Sequence, residues 1–339
     1  MKPSTFAFFA FMLSLLIGCA SQPPAAPDWI DGDSAKYNSA QHLIGHGQAS
    51  TQEEAKDRAR ADLSKIFQVA VVSESEDVQK FKTEPAGQGK YQGQYEGQAS
   101  RSITTRTEQI IRGIQIPELW QDPVTKTHHA LAVLPRLQAA ASLRQQISQL
   151  DEATGNHVEQ SRKNTDLFLK IAAASLAMES QQERESLQKS LQVVDITGRA
   201  AESQWNSAKL KNDLDGLLKR VKIASKVAAD STPGFAEVVS GALAKSGFMI
   251  ETGQNPDFVL QARMDLTDLG FQDGWYWQRG VLEVTLTETA ANRVRGTKRW
   301  NVKSNAPDKD SAAKRAMNQA DSVLKQELRA AIIDMATSR

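Results

Sequence analysis

The sequence has a single cysteine, Cys19. No disulfide can form within the chain, so its fold must rest on packed cores, which 339 residues are enough to build. The chain also lacks an excess of either charge, with 41 Lys and Arg against 40 Asp and Glu. Without a basic field there is no electrostatic drive towards nucleic acid. Aromatic residues make up only 6% of the chain, so any cluster of them stands out. Beyond the first eighteen residues no apolar run is long enough to cross a bilayer. Catalytic motifs are missing as well: there is no Gly-rich phosphate loop and no Gly-x-Ser-x-Gly elbow. His42 and His46 are four apart, but Gly45 and Gly47 flank His46 on a strand or turn, so no metal centre is expected there. His128 and His129 are adjacent and would face opposite sides of a strand. Asp265 and Asp268 have no evident acid–base partner and read as a solvated strand edge. The expectation is a chain without catalytic residues and without a cofactor.

What is present begins at the amino terminus. Met1-Lys2, an apolar run from Phe6 to Ile17, and Gly18 give the charged start, apolar stretch and small-residue end of a secretory signal. Leu16-Ile17-Gly18-Cys19 resembles a bacterial lipobox, and that resemblance implies that Cys19 becomes the acylated first residue of the mature protein. Two or more acyl chains hold a protein on a membrane, each buried methylene contributing about 0.8 kcal/mol. Ala20, not Asp, follows the cysteine, which by resemblance to sorted lipoproteins implies the outer membrane, facing the periplasm. Removing residues 1–18 also removes Lys2, which leaves 40 basic and 40 acidic side chains.

The pattern then divides the chain into a signal (1–18), a Pro- and Ala-rich tether (19–34), an α+β domain (35–136), a helical hairpin (137–230) and a second α+β domain (231–339). In the first domain, Leu43 to Ala49 reads as a short strand ending in a Gly-rich turn. Thr51 with Glu54 forms a capping box, and Ala55, Ala59, Leu63 and Phe67 share one helix face. Val69 to Val72 has the composition to carry that helix into a strand. Ser100 to Ile116 and Thr127 to Leu134 read as strands joined by a turn at Trp120 to Pro123. Between 137 and 230, two stripes at helical spacing, one from Leu137 to Met178 and one from Leu187 to Val227, predict two antiparallel arms of about 40 residues, each reaching roughly 60 Å. In the last domain Phe235 to Lys245 and Ala312 to Met335 are amphipathic helices. Phe258 to Leu266, Leu282 to Leu286, and Trp300 with Val302 are strands. The fold class expected is therefore α+β: two small α+β domains joined by a long antiparallel helical hairpin, with one face of the carboxyl sheet covered by two helices.

Two places suggest contact with a partner. Trp275-Tyr276-Trp277, between Gly274 and Gly280, is the most unusual cluster; we expect it in the connection between two strands, either capping the sheet core or exposed, with Phe271 and Arg279 able to enlarge it. Pro85 to Gln98 repeats Gly-Gln with Tyr91 and Tyr95 interleaved, which reads as a loop or hairpin tip and, more sharply, as a surface for a glycan or protein.

Pro27-Asp28-Trp29-Ile30, Ile44-Gly45-His46-Gly47, Ile111 to Trp120 and Ala130 to Arg136 resemble the LPP-20 lipoprotein family, whose fold is shared with the amino-terminal domain of the flagellar assembly protein FlgT. Pro256 to Leu260, Val281 to Leu286 and Thr297 to Trp300 before a last helix are similar to the TolB amino-terminal-like fold of periplasmic activators such as LpoB, although such activators lack the helical arm. Both resemblances imply binding or scaffold roles, with membrane contact through the acyl chains, envelope proteins as partners, and peptidoglycan as a further candidate. The competing expectation is an enzyme or glycan-binding module acting on peptidoglycan or polysaccharide, and the enzyme would need paired carboxylates in a cleft. A third is a structural spacer or assembly factor that self-associates through residues 137–230.

Overall fold

A computed structural model describes residues 25–32, 34–80, 113–199, 201–229, 231–253 and 255–338. Cys19, Tyr91 and Tyr95 lie outside these described residues. The chain divides into two compact units, Met1–Gln145 with Leu187–Ala200, and Gln146–Ser186 with Ala201–Arg339.

The first unit is built on strand β1 (His42–Ala49), helix α1 (Gln52–Lys80), strand β2 (Gln115–Gln121) and strand β3 (His128–Pro135). The strands form an antiparallel sheet in the order β1-β3-β2. The Thr51 hydroxyl accepts the Glu54 N–H at 3.3 Å and starts α1 as the sequence leads one to expect. Ala55, Ala59, Leu63 and Phe67 are buried on its inner face. Gly45 and Gly47 do not form a turn. They lie inside β1, where a Cβ on Gly47 would fall 2.1 Å from the Ala55 carbonyl oxygen and one on Gly45 2.5 Å from the Leu63 nitrogen. The missing side chains let helix and strand touch. The opposite face of the sheet is closed by a short helical turn, Asp28–Asp31, whose Trp29 packs with Leu131 and Val133. The Trp29 indole N–H donates to Glu118 at 2.7 Å, and Lys36 pairs with the other Glu118 oxygen at 2.8 Å.

Two local expectations are corrected here. Helix α1 continues through Val69 to Val72 as far as Lys80, so that stretch is not a strand. Trp120 and Gln121 end β2, and the turn lies further on. There the Asp122 carboxylate accepts the Val124 and Thr125 N–H groups at 2.8 and 3.2 Å. Of the strand expected over 100–116, residues 100–112 lie outside the described residues and the pairing begins at Gln115.

The helical stretch is α2 (Arg136–Lys163) followed by α3 (Leu167–Val194). The reversal falls at 164–166, where Asn164 donates to the Gln160 carbonyl and the Asp166 carboxylate accepts the Leu169 N–H. Each arm is 28 residues, about 42 Å at 1.5 Å per residue, and not about 40 residues as the stripes suggested. Polar breakers set the turn, and Leu167 to Met178 belongs to the second arm. Helix α4 (Ser207–Leu218), capped by Asn206 at the Lys209 N–H, ends the helical run. Val221, Ala224 and Val227 are not its continuation. Lys222–Val227 is strand β4, pairing parallel with Phe258 to Ala262. Its residues happen to repeat every three positions, but β4 pairs in parallel with strands on both sides and belongs to the sheet.

In the second unit, α4 and β4 are followed by α5 (Phe235–Ser246), β5 (Met249–Ile250), β6 (Phe258–Gln272), β7 (Trp275–Glu288), β8 (Arg293–Ala306) and α6 (Lys309–Thr337). The sheet order is β5-β4-β6-β7-β8. Leu260, Met264, Leu282, Val284, Leu286 and Val302 form one face and are buried with Val239 and Leu243 of α5 and Leu324, Leu328 and Ile332 of α6. Phe168 and Ile171 of α3 join the same core, with the Phe168 ring edge-on to Phe258 at 5.1 Å. The architecture is α+β.

Candidate docking face of the carboxyl sheet

The helices cover one face of the second sheet, and alternation leaves the other open. Strands β6 and β7 meet in a two-residue loop, Asp273 and Gly274, with φ of 51° and 82°. Positive φ at both loop residues is the primed turn that suits a tight hairpin, and Asp-Gly is a preferred pair for it. Four residues earlier the ladder shifts between Asp268 and Gly270. Asp268 accepts the Gly270 N–H at 2.8 Å there and pairs with Lys309 at 2.8 Å. The Lys309 hydrogen bond, ahead of the Gly270 one, holds the Asp268 carboxyl below its ordinary pKa.

The bulge decides which rings meet. After it, Phe271 lies opposite Tyr276, Gly270 opposite Trp277 and Gln272 opposite Trp275. Phe271 and Tyr276 therefore share one face, with ring centroids 5.0 Å apart. Trp275 and Trp277 share the other. The Trp277 indole N–H donates to the Gln272 carbonyl at 3.3 Å, and the Lys303 ammonium sits 4.7 Å from the Trp277 ring centroid. Phe271 is 59% exposed, Trp275 40% and Leu269 40%, which makes the tip an apolar projection on both sides. The tripeptide is therefore not in the connection, as expected from sequence. It opens strand β7, because the Asp-Gly turn takes only two residues.

Down β7 from the rings, Trp275, Trp277, Arg279, Val281, Glu283 and Thr285 alternate with buried neighbours and point to the open face. Lys226, Gln261, Arg263, Glu283 and Thr285 line a cavity of about 330 Å³ on that face. Arg263 pairs with Asp265 at 2.9 Å, Arg299 pairs with Glu283, and the Thr285 and Thr297 hydroxyls hydrogen-bond across strands at 2.8 Å. Cations, hydroxyls and rings therefore share this face. Of the residues singled out from sequence, Phe271, Trp275, Tyr276, Trp277 and Arg279 come together in one hairpin. His42 and His46 share a face of β1, where Tyr37 stacks edge-on against His42 at 5.3 Å, and no group of three metal-ligating side chains occurs among the described residues. Sequence reasoning missed Lys226, Arg263 and Lys303. The available signal was charge on alternate positions of strands whose other positions are apolar.

With this geometry in view, comparison with known proteins adds one firm point. Residues 27–135 match the family described as LPP20 lipoprotein. The match begins one residue before the Trp29 turn and ends at the last residue of β3, so it covers the first sheet. No curated protein matches the chain. Among solved structures, a secreted protein of Helicobacter pylori is similar at 11% identity over 84% of this chain and 97% of its own, with a TM-score of 0.40. A Caulobacter crescentus lipoprotein is similar at 17% identity over 34% of this chain and 88% of its own, at 0.24. The rare lipoprotein B of Shewanella oneidensis is similar at 14% identity over 34% and 98%, also at 0.24.

Proposed function

We propose that this is a lipid-anchored protein of the outer membrane that faces the periplasm and docks another envelope protein, without catalysis. Cys19 is the acylated residue, and the carboxyl unit is of the TolB amino-terminal-like kind. The observation that carries the docking reading is the tip of the β6–β7 hairpin, where Phe271 and Trp275 remain exposed on opposite faces of the two strands. Large exposed aromatic residues beside cations have the composition of binding hot spots, where a few Trp, Tyr and Arg residues contribute most of the affinity. A glycan-binding role draws on the same rings. However, a sugar chain stacks on one face, whereas here rings occupy both faces of a two-stranded tip, as suits insertion into a protein groove. The family match over residues 27–135 supports the anchor.

Chemical cross-linking in intact cells tests both parts. Wild type should recover a discrete envelope protein from the membrane fraction. The Cys19→Ser variant should appear folded in the soluble periplasm. Trp275→Ala with Trp277→Ala should stay anchored and folded but lose the cross-linked protein, since truncating a hot spot costs about 2 kcal/mol or more. A Cys19→Ser variant that remains wholly in membranes, or unchanged cross-links in the double variant, would overturn the corresponding part.

A further inference from the structure

Arg279 and Lys303 face each other across β7 and β8, both exposed on the open face. Like charges placed directly opposite destabilise a strand pair. Neither has a carboxylate partner among the described residues, and Lys303 instead leans on the Trp277 ring at 4.7 Å. Cations elsewhere on the face are matched: Arg263 by Asp265 at 2.9 Å and Arg299 by Glu283. Further along, Lys226 lies on the cavity of about 330 Å³, again without a carboxylate partner among the described residues. In a chain whose acidic and basic residues balance to within one, this face keeps cations side by side that no carboxylate among the described residues neutralises.

We propose that the Arg279–Lys303 pair, next to Trp277, is a carboxylate-binding site that receives an acidic segment of the docked protein. This rests on the docking reading and adds the partner's chemistry. A guanidinium fork can take a carboxylate through two parallel hydrogen bonds, and a neighbouring ammonium adds a third donor set. Placed over the Trp277 ring, Lys303 is already held where an incoming anion meets it. From Trp277 to Glu283 the row along β7 spans about 20 Å, which fits within one partner's share of a standard interface. An acidic extended segment lying along that row would set its carboxylates on Arg279 and Lys303 and its apolar side chains on Trp277 and Val281, which is 41% exposed.

The test uses the detergent-solubilised full-length protein and a fluorescein-labelled octapeptide of alternating Glu and Leu, read by fluorescence anisotropy. Wild type should bind, and binding should weaken as salt rises. Arg279→Glu with Lys303→Glu should weaken it about tenfold or more, while the charge-matched Lys209→Glu with Lys211→Glu on α4 should leave it unchanged. Circular dichroism should show both variants folded. No binding by wild type at low salt, equal losses in both variants, or tighter binding of polygalacturonate than of the peptide would overturn the site. If the peptide result is as expected but cross-links survive Trp275→Ala with Trp277→Ala, the docking reading falls and the carboxylate site stands. If cross-links depend on the tryptophans but Arg279→Glu with Lys303→Glu keeps its peptide affinity, the reverse holds.

Discussion

At position 47 an added methyl group would have nowhere to go. Its Cβ would lie 2.1 Å from the Ala55 oxygen and 2.3 Å from the Ala59 nitrogen, both backbone atoms of a helix that cannot step aside alone. Gly47→Ala should therefore destabilise the first unit by roughly 1–3 kcal/mol through forced separation of α1 from β1, seen as a lower Tm by circular dichroism. An unchanged Tm would contradict the close approach. The helix face that makes this contact was legible in the sequence, because Ala55, Ala59 and Leu63 recur at helical spacing. The role of the glycines was not. A glycine within a short strand-like run looks the same whether it turns the chain or lets a helix pass over it, and only the partner strand and helix decide. Trp29 shows a similar gap: its side chain is buried, although it lies within the Pro- and Ala-rich stretch 19–34 that reads as an extended tether.

Among elements, the helices α2 and α3 were foreseen as a pair, since two one-sided apolar stripes need each other. Their reversal was misplaced because the stripes continue through it, while Asn164 and Asp166, common residues in isolation, break the backbone there. Below the turn the arms and the following segment are fastened by Arg184, which is buried. It pairs with Asp151 at 2.8 Å and donates to the Ala201 and Glu202 carbonyls at 3.0 and 2.8 Å. Trp205 adds a hydrogen bond from its indole to the Asp151 carbonyl at 3.3 Å. Arg184→Ala should leave the part-buried Asp151 and two carbonyls without their donor and cost about 3 kcal/mol. It should also speed amide hydrogen exchange at residues 201–206. Exchange there as slow as in wild type would show that the fastening is supplied by other contacts. The hairpin tip followed a different course. Its rings were evident from composition, yet the Asp273-Gly274 turn that places them on strand β7, and the bulge at Asp268 that sorts them onto two faces, are backbone events with only a two-residue signature.

For the whole molecule, near-neutral charge in the sequence conceals a local arrangement. Period-two alternation brings Lys226, Arg263, Arg279, Arg299 and Lys303 onto one open sheet face, and only some of them are matched by carboxylates. Composition excludes nucleic-acid binding as a global drive, but it does not describe such a face. The α+β class was legible because alternation and helical spacing are local. The division into Met1–Gln145 with Leu187–Ala200 and Gln146–Ser186 with Ala201–Arg339 was not, because it cuts through helices that look continuous in sequence. The central claim is that a tethered protein presents the β6–β7 tip to another protein. The most direct measurement places a photo-reactive amino acid at position 275 in the full-length protein and, for comparison, at position 211 on α4. After irradiation of intact cells, the account predicts one discrete adduct with an envelope protein from position 275 and none from position 211. No adduct from position 275, or the same adducts from both positions, would contradict it.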